Sequence, residues 1–147
     1  MSLSLTLTRH LAASPERVFD AWLDPAQARR FLFATPEGEM TTVEIDPRVG
    51  GEALIVERRG EVEALHRLRY EAIERPRRLV FLFRACLAGD AETGEWTRVT
   101  IAIEPEGAGA RLTLTHDGVW PDYEDRTRAG WTMILDTLAA ETETDHG

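Results

Sequence analysis

Two histidines stand out among the residues whose type and spacing could do chemistry. His116 falls in period-two register with Leu112 and Leu114, so its imidazole shares a face with those leucines. An imidazole titrates near neutral pH and can serve as an acid or base. The same ring could instead hold a hydrogen bond near the end of a sheet. Asp117 points to the opposite side of the strand, so it forms no direct dyad with His116. His66 is in register with Leu68, Tyr70 and Ala72. If that face is the inner one, both histidines look into the interior, with Tyr70 as a third polar group. Two histidines without a well-placed carboxylate make a poor metal site, so neither metal nor cofactor is expected. Cys86 has no base beside it in the sequence, which argues against a nucleophile. No phosphate loop, nucleophile elbow or zinc-protease helix occurs.

The aromatics Trp22, Phe31, Phe33, Phe81, Phe83, Trp120 and Trp131 could line an apolar pocket or simply fill a core. Trp96 is out of phase with Val99 and Ile101, which puts it on an outer face where a ring could mark a homodimer contact. Arg67, Arg69, Arg84, Arg98 and Arg111 fall on the outer phase of their strands and are expected to pair with Glu61, Glu63 and Glu71.

These residues need a scaffold, and 147 residues suffice for one domain with a sizeable core. A net charge of −9 offers no electrostatic reason to bind nucleic acid or anionic lipid. All 17 basic residues are arginine. The single cysteine allows no intrachain disulfide, which fits a reducing cytoplasm. No apolar run reaches the ~20 residues a membrane span needs, and the first ten residues lack signal-peptide features. The expectation is a soluble cytoplasmic protein.

The periodicity supplies the elements. Leu3, Leu5 and Leu7 alternate with polar residues, as in a half-buried strand. Ser14-Pro15 and Asp24-Pro25 are cap-then-proline signals for two short helices, the second ending near Phe31. Period-two alternation then returns in about six stretches, broken at Gly50-Gly51, Gly60, Pro76, residues 88–94 and Gly107. In one stretch the buried set could be Leu54 and Val56 or Ala53 and Ile55. From about Asp122 the period becomes helical, with Trp131, Ile134, Leu135 and Leu138 on one stripe. From about Thr142 the chain is acidic, lacks an apolar face and is expected to fray. Strands joined by short turns form an antiparallel meander, and only the last helix is long enough to cover it. The fold class is therefore α+β: a curved antiparallel sheet of six or seven strands around a long C-terminal helix, with two short helices after the first strand.

The segments FDAWLDP (Phe19 to Pro25), Gly50-Gly51, PRRLVFLF (Pro76 to Phe83), RLTLTHDGV (Arg111 to Val119) and Gly130-Trp131 followed by Ile134, Leu135 and Leu138 resemble the heat-shock protein 90 ATPase activator homologue family. That family is part of the START and polyketide-cyclase superfamily. The resemblance spans nearly the whole chain and implies a helix-grip fold. Such proteins often carry tryptophan near Phe31 and a Thr-Trp pair where Leu82-Phe83 stands here, so ligand identity does not transfer. The expected function is the binding of a small apolar or amphipathic molecule. Its site would draw on Trp22, Phe31, Phe33, His66, Tyr70, Phe81, Phe83, His116, Trp120 and Trp131. The alternatives are a cyclase- or dehydratase-like enzyme using a cavity histidine, and a chaperone-regulating interaction protein.

Overall fold

A computed structural model describes residues 2–35, 37–87 and 96–143. The loop expected over 88–94 lies outside the described residues. The order is β1 (Leu3–Leu11), α1 (Pro15–Leu23), α2 (Pro25–Phe31), β2 (Glu39–Ile45), β3 (Glu52–Arg59), β4 (Val62–Glu74), β5 (Arg78–Leu87), β6 (Thr97–Glu106), β7 (Gly109–Val119), a 3₁₀ turn (Pro121–Tyr123) and α3 (Glu124–Glu143). The seven strands form one antiparallel sheet in the order β1-β7-β6-β5-β4-β3-β2.

The two short helices begin where the cap signals place them. Ser14 accepts from the Arg17 amide at 3.2 Å and Asp24 from the Ala26 amide at 3.0 Å, each followed by a proline that gives up no hydrogen bond there. One buried cluster joins Trp131, Ile134, Leu135 and Leu138 of α3 to the inward residues of the strands, including Ile55, Leu68, Phe81, Ile101 and Leu114. The inner set of β3 is Ala53 and Ile55, and Glu57 continues that phase at 1% exposure.

Two expectations fail locally. The alternation through β4 does not reach Ala72: a bulge between Tyr70 and Ala72 shifts the register, and Ile73 packs against the core instead. The end of α3 is docked rather than frayed through Glu143. Thr142 is buried and its hydroxyl donates to Leu138 O at 2.8 Å. Arg17 reaches the carbonyls of Glu141 and Thr142 at 3.4 Å each, satisfying acceptors that a helix end leaves open. Glu143 accepts from the Ala12 amide at 2.9 Å. Polar bonds hold this segment, so hydrophobic periodicity carried no sign of it. No helix of the described residues is long and apolar enough to cross a membrane.

Candidate functional site

Where β5 and β7 end and β6 begins, beside the start of α3, a cleft of about 480 Å³ opens. Phe83, Thr97, His116, Val119, Trp120, Tyr123 and Arg126 contribute to its walls. Strand alternation delivers Phe83, Thr97 and His116 to this side. Gly118 then breaks the alternation. It has φ 88° and sits where the β1–β7 register slips between Leu3 and Ser4, and a Cβ there would press on Thr97 Cγ2 at 3.1 Å. Past this bulge the chain turns, and Trp120 and Tyr123 stand half-exposed at the rim, each at 53%.

His116 is tied at both ring nitrogens. The Trp131 indole N–H can only donate, and it donates to His116 Nδ1 at 3.0 Å. The neutral ring therefore carries its proton on Nε2, which donates to Thr97 Oγ1 at 2.8 Å. The Thr97 hydroxyl in turn donates a hydrogen bond to Phe83 O at 3.2 Å. This relay fixes the floor of the cleft and leaves His116 no nitrogen for a substrate. Burial pushes its pKa down to about 4, with Asp117 pulling the other way. A second proton would have to enter at Nδ1, against the indole N–H.

His66 is arranged differently. Its Nδ1 donates to Ile55 O at 3.1 Å, so the neutral ring leaves Nε2 as an acceptor, and no hydrogen bond to it occurs among the described residues. Burial is the main cause that lowers its pKa to about 4. Phe33 lies flat on it, ring centroids 4.3 Å apart and planes at 2°, and stacks on Phe83 at 5.0 Å and 12°. Phe33 has φ 59°, uncommon for a bulky side chain. Trp131 closes the cluster at 5.7 Å from Phe33 and 5.9 Å from His116.

Glu57 holds the segment that carries Phe33. Its carboxylate accepts from the Thr35 amide at 2.5 Å, the Thr35 hydroxyl at 2.9 Å and Arg59 Nε at 2.5 Å. Gly38 leaves room for it, since a Cβ there would overlap the carboxylate.

Of the ten aromatic and polar residues expected at a site, Phe83, His116 and Trp120 line the cleft, and Phe33, His66 and Trp131 stand directly behind it. Trp22, Phe31, Tyr70 and Phe81 are packed into the core at 2% exposure or less. The Trp22 indole N–H and Tyr70 hydroxyl have no hydrogen-bond partner among the described residues. Burial raises the Tyr70 pKa, and Asp46 adds to the rise. Trp96 is half-buried, its ring flanked by the guanidinium groups of Arg69 at 4.9 Å and Arg84 at 4.5 Å. On the outer face Arg98 pairs with Glu71 at 2.8 Å as expected, but Arg69 pairs with Glu52 and Arg111 with Glu104. Among the described residues no three His, Cys, Asp or Glu side chains converge as a metal site would require.

Residues 12–143 match the family model described as Activator of Hsp90 ATPase homolog 1-like protein. Protein CV1439 from Chromobacterium violaceum has a similar structure, at 28% identity and a TM-score of 0.83 over 97% of this chain and 99% of its own. Protein Mll3558 from Rhizobium loti is 28% identical with a TM-score of 0.80, covering 96% of this chain and 97% of its own. An AHSA1-like protein from Aeromonas hydrophila shares the fold at 22% identity and a TM-score of 0.83, over 99% of this chain and 97% of its own. Among curated proteins none matches the chain. With a match over nearly the whole sheet and its gripping helix, the chain belongs to the Activator of Hsp90 ATPase homolog 1-like family.

Proposed function

We propose that the protein binds a small apolar or amphipathic molecule in the cleft between the ends of β5–β7 and the start of α3. The observation that carries this reading is the aromatic wall. Phe83 and Trp120 face the opening, and Phe33, His66 and Trp131 back it. A volume of about 480 Å³ falls within the range of small-molecule sites. A larger opening of about 650 Å³ beside Thr35, Glu37, Arg59 and Gly60 lacks aromatic walls and is a poorer host for an apolar body. The His116 relay supports binding rather than turnover, because both imidazole nitrogens are occupied by the protein itself.

The test is a titration with 2-naphthol, followed by tryptophan fluorescence and by amide shifts in a nitrogen–proton correlation spectrum. Saturable shifts at Thr97, Gly118 and the Trp131 indole are expected, and Trp120→Ala should weaken binding while leaving the melting temperature nearly unchanged. Shifts confined to other surfaces, or none at millimolar probe, would defeat the reading.

A further inference from the structure

One charged side chain on the wall of the cleft has no carboxylate partner among the described residues. Arg126, in the first turn of α3, lines it, with the guanidinium carbon 5.8 Å from the Tyr123 ring centroid. The chain carries 26 acidic residues against 17 arginines, and arginine–carboxylate pairs run across most of its surface. Asp122, four residues before Arg126, stands at a spacing suited to a helical ion pair. Yet among the described residues no carboxylate pairs with Arg126. Among the described residues Arg29, Arg77 and Arg128 also lack an ion pair, but none of them lines this cleft. Arg84 does line it, and its guanidinium is stacked on Trp96.

We infer that the ligand of this cleft carries a carboxylate, and that Arg126 is the group that receives it. This rests on the reading of the cleft as a ligand site and specifies the class of ligand. The planar guanidinium offers two parallel N–H donors that match a carboxylate's two oxygens. The guanidinium is exposed and free to meet a ligand, with the Tyr123 ring beside it at 5.8 Å. The apolar body then lies on Phe83 and Trp120, with the His116 relay as a fixed floor. The fitting ligand is a small aromatic or short-chain carboxylic acid.

The experiment compares 2-naphthoate with 2-naphthol, probes of matched size that differ in charge, by calorimetric titration at low ionic strength. Naphthoate should bind about tenfold or more tighter than naphthol, the scale of a hydrogen bond to a charged group. Arg126→Gln should abolish that preference by weakening naphthoate alone, and Arg126→Lys should restore part of it. High salt should narrow the gap in the parent protein. Unaltered circular dichroism of both variants guards against misfolding as a cause. Equal binding of the two probes, or a naphthoate affinity unchanged in Arg126→Gln, overturns the inference while leaving the cleft as a neutral-ligand site. Failure of both probes to bind overturns the cleft reading and this inference together.

Discussion

Acidification should destabilise the protein well above the pH at which most carboxylates titrate, because His66 and His116 are both held neutral inside the fold. Each has an ordinary value of 6.5 lowered to about 4, with burial as the leading cause. The unfolded chain therefore takes up protons first as pH falls. The stabilisation is whole above about pH 6.5, is lost progressively below it, and stops changing below about 4. Each unit of pKa difference is worth about 1.4 kcal/mol, so going from pH 7.5 to 5 should cost roughly 2 kcal/mol per histidine. The two together approach 4 kcal/mol, a large share of the 5–15 kcal/mol typical of a folded domain. Urea unfolding followed by tryptophan fluorescence at several pH values measures this directly. His66→Gln and His116→Gln should each remove about half of the slope between pH 6.5 and 5. Stability that is flat across this window, or a slope that survives in the double variant, would refute the claim that both rings are buried and neutral.

Glu57→Ala should leave the Thr35 amide, the Thr35 hydroxyl and Arg59 without their acceptor and cost about 1–3 kcal/mol. Faster hydrogen exchange at Thr35 would locate the loss in the segment that carries Phe33. Truncation before Thr142 should cost about 1–3 kcal/mol, since it removes a buried hydroxyl, a carbonyl capped by Arg17 and the Glu143 carboxylate that meets Ala12. Equal denaturation midpoints for the full and truncated chains would show that these contacts contribute nothing.

Much of the architecture was legible because hydrophobic periodicity is a direct readout of which face is buried. His116 could be placed beside Leu112 and Leu114 from spacing alone, and the structure puts it on that inner face. The inner set of β3 was not legible, because Leu54 and Val56 are as apolar as Ala53 and Ile55. Once that choice is made, the same period brings Glu57 inward, so its role was hidden by the neighbouring ambiguity. The relay through Thr97 escaped notice for another reason. A threonine two residues before Val99 reads as an ordinary strand position, and only the fold brings it to His116 from a different strand. Arg126 and Tyr123 lie where the helical pattern begins, and nothing in that pattern marks them as facing a cleft. The bulges at Tyr70 and Gly118 arise from strand pairing, which a linear pattern does not encode.

The pairing of the first strand with the last has a consequence for how the molecule is made. On a ribosome, β2 to β6 can pair in turn as they emerge, each beside the strand just synthesised. β1 cannot, because Leu5 and Leu11 pack opposite His116 and Ala110 of β7. At roughly 5–20 residues per second, β1 waits on the order of 5–20 seconds for its partner, with leucines exposed that end at 1% and 0% accessibility. α3, the element that covers the sheet, emerges later still. Completion of the sheet and docking of the helix therefore wait until β7 and α3 have been made, and the nascent chain presents an unpaired apolar strand to its surroundings until then.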